Sequence, residues 1–312
     1  MIHLICPNPA VDRTILLEDF TKSLPNRPQE VKDFPGGKSF NVAYALEQEA
    51  HPEEVTIHTI LGGQNGQRVK DLAEEAGYNV QAVSVDKNTR ECNIIVDTKS
   101  NDIYPIYEQG FNLTAALLEE FTNQLLASVS ANDLVVFSGS LMQGMPADYI
   151  AQVQDKVNDS SVKFIVDTSG EAIQETYKKS KPYAVKINDE EFNELFPDEN
   201  YETTEEIIDA LQTKIKDTIP YFIVTLGAEG ALARFNQEVY HFSGLEIEVK
   251  NPVASGDHFL GNLVRGLVNE EDIQDILRKS IAYSSSNCQY WYPHIESEDV
   301  KQFIKEVTVE KY

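Results

Sequence analysis

Residues 251–261 read Asn-Pro-Val-Ala-Ser-Gly-Asp-His-Phe-Leu-Gly, and one carboxylate among them could do chemistry. Ala254, Ser255 and Gly256 make a turn with almost no side chains, and Asp257 follows. An apolar pattern then begins at once: Leu260, Leu263, Val264, Leu267 and Val268 fit one face of a 3.6-residue helix. Asp257 therefore stands at or near a helix N-terminus. Unpaired backbone N–H groups point outward there, and the positive end of the helix dipole gathers. A carboxylate beside such an anion site suits phosphoryl transfer: the N–H groups hold the moving phosphoryl while the carboxylate accepts a proton from the attacking hydroxyl. Asp is also a favoured helix N-cap, and the segment alone reads first as that.

The elements that must position this turn follow from the apolar pattern. Residues 2–6, 55–60, 133–137, 162–166, 183–186 and 221–225 read as buried strands. Residues 39–50, 65–77, 114–128, 146–158, 203–216, 257–269 and 272–290 read as helices. The alternation predicts an α/β fold, a mainly parallel sheet with helices on both faces. Two regions break the rhythm, about 11–34 and 90–108, with short extended segments and no helices between them. They read as a small separate sheet acting as a cover, or else as edge strands of the main sheet.

In such sheets ligands bind beyond the C-terminal ends of the strands. Five turns with unusual residues fall on that rim: Asn8 to Asp12, Gly62–Gly63, Ser138 to Ser140, Lys186 to Glu191, and Leu226 to Gly230. One is expected in any such fold. Five suggest an extended polar site for two ligands.

Other chemistries lose support. Gly37-Lys38-Ser39 lacks the glycine a P-loop needs five places earlier, where Lys32 stands. Gly36, Gly37 and Lys38 still precede a helix, which suits an anion. No Gly-x-Gly-x-x-Gly follows the first strand, which weakens a dinucleotide oxidoreductase, and no Gly-x-Ser-x-Gly supports a hydrolase. The six histidines form no His-x-x-x-His pair for zinc. The formal net charge of −25 argues against nucleic acid and against anionic membranes. It also singles out any Lys or Arg placed inside a pocket for anions. Three cysteines without metal-ligand spacing, and a first apolar run stopped by Pro7, point to a cytoplasmic, reducing location without a signal peptide or span. At 312 residues, 41% hydrophobic and 25% charged, the chain can build one large domain.

The rim motifs together resemble a known family. Asn8 to Asp12, Gly36-Gly37-Lys38 with Asn41, Thr89-Arg90, Ser138 to Leu141, Lys186-x-Asn188-x-x-Glu191, Thr225 to Gly230 and Ala254 to Asp257 occur in order. They resemble the phosphofructokinase-B branch of the ribokinase-like sugar kinases, nearest to its 1-phosphofructokinases and tagatose-6-phosphate kinases. The resemblance runs from residue 1 to about 270 and weakens after 280.

The resemblance implies a ribokinase-like fold over residues 1–312 with a β-sheet lid, and an ATP- and Mg2+-dependent kinase of a ketohexose monophosphate, fructose 1-phosphate or tagatose 6-phosphate. It implies Asp257 as general base, with the backbone of Ala254, Ser255, Gly256 and Asp257 as the anion hole. Asp12, Gly36, Gly37, Asn41 and Ser138 would serve the sugar, and Lys38 and Arg90, with Arg27, its existing phosphate. Lys186, Asn188 and Glu191 would serve the ATP phosphates, with Asn188 and Glu191 on the magnesium water shell. Thr225, Gly227 and Gly230 would line the nucleotide site, and the lid would make a homodimer contact. An unphosphorylated sugar or nucleoside is the alternative substrate, and a non-catalytic sugar-phosphate sensor the alternative role.

The chain departs from the family pattern in places. Ala254 and Ser39 stand where glycine is usual, His258 and Asn262 where smaller residues are, and Ile187 where proline is. A working anion turn leads us to expect negative φ at Ala254, because alanine disfavours the left-handed region. In the divergent stretch 283–292, Tyr290 and Trp291 read first as packing residues, and second as rings stacked on the nucleotide.

Overall fold

The computed structural model describes residues 1–47, 54–157, 159 and 161–312. The chain runs β1 (Ile2–Cys6), β2 (Ala10–Leu17), β3 (Glu30–Gly36), α1 (Lys38–Glu47), β4 (Val55–Gly62), α2 (Gly63–Glu75), β5 (Val80–Val85), β6 (Arg90–Asp97), β7 (Asp102–Tyr107) and α3 (Ala115–Ser128). It continues β8 (Leu134–Ser138), α4 (Tyr149–Val157), β9 (Lys163–Asp167), α5 (Gly170–Lys179), β10 (Ala184–Asn188), α6 (Asp189–Leu195), α7 (Thr204–Lys214) and β11 (Tyr221–Thr225). After a short 3-10 turn come β12 (Gly230–Phe235), β13 (Glu238–Ser243), α8 (Ser255–Val268), α9 (Ile273–Cys288), α10 (Ser297–Glu306) and β14 (Val309–Lys311).

The main sheet has the order β14-β13-β12-β11-β10-β9-β8-β1-β4-β5. From β11 to β5 every pairing is parallel, and β12, β13 and β14 extend the β11 edge antiparallel. The six strands read from sequence are all in its parallel part. Strands such as β1 and β4 are buried along their whole length because helices cover both faces, even where His3, Thr56 and His58 interrupt the apolar run. Leu4 and Ile5, neighbours on β1, are both fully buried, one in each of two cores. The first core gathers residues of α1, α2, α8 and α9 on one face, and the second those of α3 to α7 on the other.

Boundaries shift by a few residues. The helix expected at 146–158 begins at Tyr149, after a turn in which the Tyr149 N–H donates to the Pro146 carbonyl. Residues 48–50 and 158 of the expected helices lie outside the described residues. Sequence reading did not place β5, α5, α6, α10 or the antiparallel strands β12 to β14.

The interrupting segments form the separate sheet, ordered β3-β2-β6-β7. The β2–β6 pair is parallel and the outer pairs antiparallel. One row across it is Phe34–Asp12–Cys92–Tyr107, and the next row, on the opposite face, is Asp33–Arg13–Asn93–Ile106. The first face looks into the molecule. Leu16, Ile94 and Val96 there pack with Val253, Trp291 and Tyr292. Tyr292 donates to Glu30 at 2.8 Å and carries Lys32 over its ring. The divergent 283–292 stretch thus ends by docking the lid onto the body. Neither Tyr290 nor Trp291 lines the main cavity, so packing accounts for both. Among the described residues, no helix is long and apolar enough to cross a membrane.

Candidate active site

A cavity of about 1360 Å³ opens between the inner face of the lid and the C-terminal rim of the main sheet. That exceeds the usual volume for one small ligand. Asp12, Gly37, Lys38, Asn41 and Arg90 line the lid end, with Cys92, Ile94 and Tyr107. Lys186, Asn188, Glu191, Thr225, Gly227 and Gly230 line the opposite side, and the turn 254–257 lies in the same wall. Arg27, Gly36 and Ser138 are not part of it.

Asp257 is in the first turn of α8 and 6% exposed. Gly261, one turn further on, lets α1 cross closely: a Cβ there would stand 2.6 Å from that of Ala45. This crossing brings Asn41 to Asp257, and its Nδ2 donates to Asp257 Oδ2 at 2.9 Å. Burial pushes the Asp257 carboxyl up to about 7, with Asp167 adding to the rise and Lys38, Asn41 and Lys186 opposing it. That value suits a group that takes and returns a proton near neutrality.

The preceding turn departs from expectation. Ala254 has φ 64° and ψ 2°, the left-handed conformation, not negative φ. For a non-glycine residue this costs about 1–2 kcal/mol. The geometry is imposed from both sides. Asn251 accepts from the Val253 N–H and donates to the Trp291 carbonyl, while Asn287 donates to the Val253 carbonyl. Beyond the turn, the Ala254 carbonyl accepts from the N–H groups of Asp257 and His258. The turn also leaves fewer N–H groups open than expected. The Ser255 N–H is bonded to the Pro252 carbonyl at 3.2 Å and that of Asp257 to Ala254 at 2.9 Å. The Gly256 N–H has no acceptor among the described residues.

Gly256 faces Lys186, whose Nζ lies 2.9 Å from where a Cβ would be. Lys186 is 3% exposed, and its charge is met by Asp167, Nζ to Oδ2 at 3.1 Å. The other oxygen of Asp167 accepts from Lys38 at 2.9 Å. Asp167 is wholly buried, yet the two ammonium groups overcome that burial and hold its carboxyl below the usual range. For Lys38, burial works against the charge, but Asp167, Asp257 and Glu191 raise its pKa. Sequence reading passed over Asp167, although it ends β9 on the same rim as the motifs that were noticed.

The Lys38 side chain thus reaches from the lid end of the cavity to the Asp167 carboxylate that also meets Lys186. Arg90 is on the lid side, and donates to the carbonyls of Glu108 and Asn8 at 3.2 and 3.1 Å, leaving Nε without a partner among the described residues. Asp12 faces it: burial raises the carboxyl to about 6 against the pull of Arg90, the Gly37 N–H and Cys92. Gly36 makes room for that carboxylate, since a Cβ would come 2.2 Å from Asp12 Cγ. Arg27 is exposed on the β2–β3 connection. Ser138 is buried at the end of β8 with its hydroxyl unpartnered among the described residues. Ser39 donates to the Ile5 carbonyl at 2.9 Å and is fully buried. Gly62 and Gly63 serve packing, each closely approached by residues 85–88.

Asn188 and Glu191 form a capping box at the start of α6: Asn188 Oδ1 accepts from the Glu191 N–H at 2.7 Å, and Glu191 Oε2 from the Asn188 N–H at 2.9 Å. Glu191 Oε1 remains, 3.5 Å from Lys38 Nζ. Among the described residues no group of three or more His, Cys, Asp or Glu side chains could hold a metal ion. Beyond Thr225 and Gly227, the cavity is lined by small residues (Ala228, Ser284, Ser285) and apolar ones (Leu245, Ile247, Val249, Ile281), a slot fit for a flat base.

Solved structures share this architecture at low sequence identity. Phosphofructokinase-2 from Escherichia coli, solved with substrates and products, superposes with a TM-score of 0.89 at 20% identity, covering 98% of each chain. A possible 1-phosphofructokinase from Thermotoga maritima gives 0.88 at 21% identity, covering 100% of this chain and 99% of that one. These likenesses define the fold class, ribokinase-like α/β with a lid sheet. In sequence, a tagatose-6-phosphate kinase from Staphylococcus epidermidis is 30% identical over 314 residues, covering 99% of both chains. Residues 7–297 match the pfkB family carbohydrate kinases, and the chain belongs to that family. It is an ATP-dependent phosphotransferase with a hydroxyl acceptor.

Proposed function

We propose that this kinase phosphorylates a ketohexose monophosphate, fructose 1-phosphate or tagatose 6-phosphate, to the bisphosphate. The observation that carries the substrate class is Arg90, a cation on the lid wall of the cavity in a chain of net charge −25. The relative from Staphylococcus epidermidis named tagatose-6-phosphate kinase supports the same class. Asp12, Gly37 and Asn41 hold the sugar hydroxyls, and Arg90 meets the phosphate already present. ATP lies along the other side, its base among Ala228, Leu245, Ile247 and Ser284 and its phosphates toward Lys186 and Gly256.

The attacking hydroxyl gives its proton to Asp257 as its oxygen bonds to the γ-phosphorus, and the bond from that phosphorus to the β–γ bridging oxygen breaks to release ADP. The Gly256 N–H and the Lys186 ammonium face the transferring group, and Asp167 holds Lys186 and Lys38 in place. Magnesium would neutralise charge developing on the phosphate oxygens. Glu191 and Asn188 fit it through water, as Mg2+ keeps much of its hydration. The outer face of the lid, with Val31, Ile15, Ile95 and Tyr104 in one row, suits pairing with a second copy.

A neutral sugar is the second reading, favoured by the two bonds that already hold Arg90 to backbone carbonyls. Coupled ADP release over a panel of ketohexoses and their phosphates separates the two. Turnover on a ketohexose phosphate, far above that on the free sugar, is expected. Faster turnover on the free sugar would overturn the proposal.

A further inference from the structure

His258, the residue after the base, is fully buried on α8. Its Nδ1 lies 2.7 Å from the Ala254 carbonyl oxygen. A carbonyl only accepts, so Nδ1 carries the proton. Nε2 is then a bare acceptor, buried without a partner among the described residues. Tyr44 meets the ring edge-on, with centroids 5.6 Å apart. Burial lowers the His258 pKa to about 4, against the opposing effect of the Ala254 carbonyl, so the ring is neutral near pH 7.

The Ala254 carbonyl thus accepts three bonds, from the N–H of Asp257 at 2.9 Å, the N–H of His258 at 3.0 Å and the imidazole Nδ1–H. The two backbone bonds come with the first turn of the helix. The third depends on the side chain at 258. Relaxing Ala254 from φ 64° to negative φ would reorient this peptide, break the imidazole bond and leave a second ring nitrogen buried without a partner. The strained turn and the buried imidazole therefore fit one another.

We propose that His258 is a positioning residue, whose Nδ1–H clamps the Ala254 carbonyl and holds the left-handed turn that aims the Gly256 N–H and the Asp257 carboxylate. The proposal rests on the reading of Asp257 as the base of phosphoryl transfer. His258 moves no proton and touches no substrate; it acts through Ala254.

The test places His258→Leu, His258→Asn and His258→Gln in two backgrounds, wild type and Ala254→Gly. Leucine fills the space without a donor. Asparagine carries a donor near the Nδ1 position, and glutamine places its amide nearer Nε2. In the wild-type background His258→Leu lowers kcat about tenfold, the scale of the left-handed strain released, with KM for ATP little changed. His258→Asn recovers most of the loss and His258→Gln does not. With Ala254→Gly, where the turn is unstrained, the loss shrinks to about threefold or less. Equal losses in both backgrounds, or equal rates for the Asn and Gln variants, overturn the clamp. Should His258→Leu fail to fold, the Asn and Gln pair decides. Melting temperatures of the same set give a reading without turnover: in wild type the released strain offsets part of the lost bond, so a larger drop in the Ala254→Gly background supports the clamp, and an equal drop overturns it. Absence of wild-type ADP release on every sugar and sugar phosphate would defeat the kinase reading instead, and the melting cycle would still judge the clamp.

Discussion

The Nζ of Lys186 lies 2.9 Å from the point where a Cβ on Gly256 would stand. The glycine is thus what allows a buried ammonium to come so near the backbone of the turn 254–257. Gly256→Ala should push Lys186 aside and crowd the N–H left open there. We expect kcat to fall by about 10²-fold, the scale seen when one donor to a developing charge is removed. Circular dichroism and melting should show a folded protein. An alanine variant with wild-type kcat would refute this role for the close approach.

Asp257→Asn should keep the fold and nucleotide binding but cut kcat by roughly 10²–10⁴, the usual contribution of a positioned base. Steady-state kinetics alongside ATP titration would show this. Near-normal turnover would make Asp257 only the opening residue of a helix.

The pH dependence follows from the same carboxyl. Its folded pKa is raised from 3.8 to about 7, so the native state holds the proton more tightly than the unfolded chain. Ionising Asp257 therefore costs stability as pH rises through that window, while activity is expected to rise over it, the carboxylate being the working form in the proposed mechanism. The acid limb of kcat/KM should bend near 7. Lys38 favours the ionised form, so Lys38→Met should move the bend upward; an unchanged or lower bend would contradict the arrangement.

Arg90→Ala should weaken sugar-phosphate binding by about 1.5–3 kcal/mol, the range for a hydrogen bond to a charged group, while KM for ATP stays close to wild type. Calorimetry with each ligand separates the effects. Equal loss for both ligands would remove the case for a phosphate on the sugar.

Ile95 is central in the outer row Val31–Ile15–Ile95–Tyr104, and Val31 is 45% exposed. Ile95→Glu would place a charge opposite its own copy if two lids pair. Analytical ultracentrifugation should show a wild-type dimer and a monomeric variant. A monomer in both cases would contradict pairing through this face.

Much of the architecture was legible because burial on two faces writes long apolar runs, as in Leu134 to Phe137. Helices ending in polar, half-exposed turns were harder: α5, Gly170–Lys179, buries only Ala172, Ile173 and Thr176. The lid was visible as missing helices. Most rim residues converge on one cavity because strand direction puts loop residues together whatever their distance in sequence. Asp167 was missed because it carries no motif, only a position at a strand end. The φ of Ala254 was misjudged because local propensity was weighed without the side chains of Asn251, Asn287 and His258, which only the folded chain brings to that turn. For Lys38, which the resemblance implies for the sugar's phosphate, no local motif discloses the partner its Nζ meets, Asp167, 129 residues away.

The lid joins the body through short connections, and the cavity's own residues stand at their ends. Asp12 lies just inside the entry to β2, Gly37 and Lys38 follow β3, and Arg90 opens β6. The joints of the cover are therefore also walls of the cavity. If these residues hold the sugar as proposed, a swing of this sheet away from the body would loosen that hold in the same movement, so that opening and letting go would be one event rather than two.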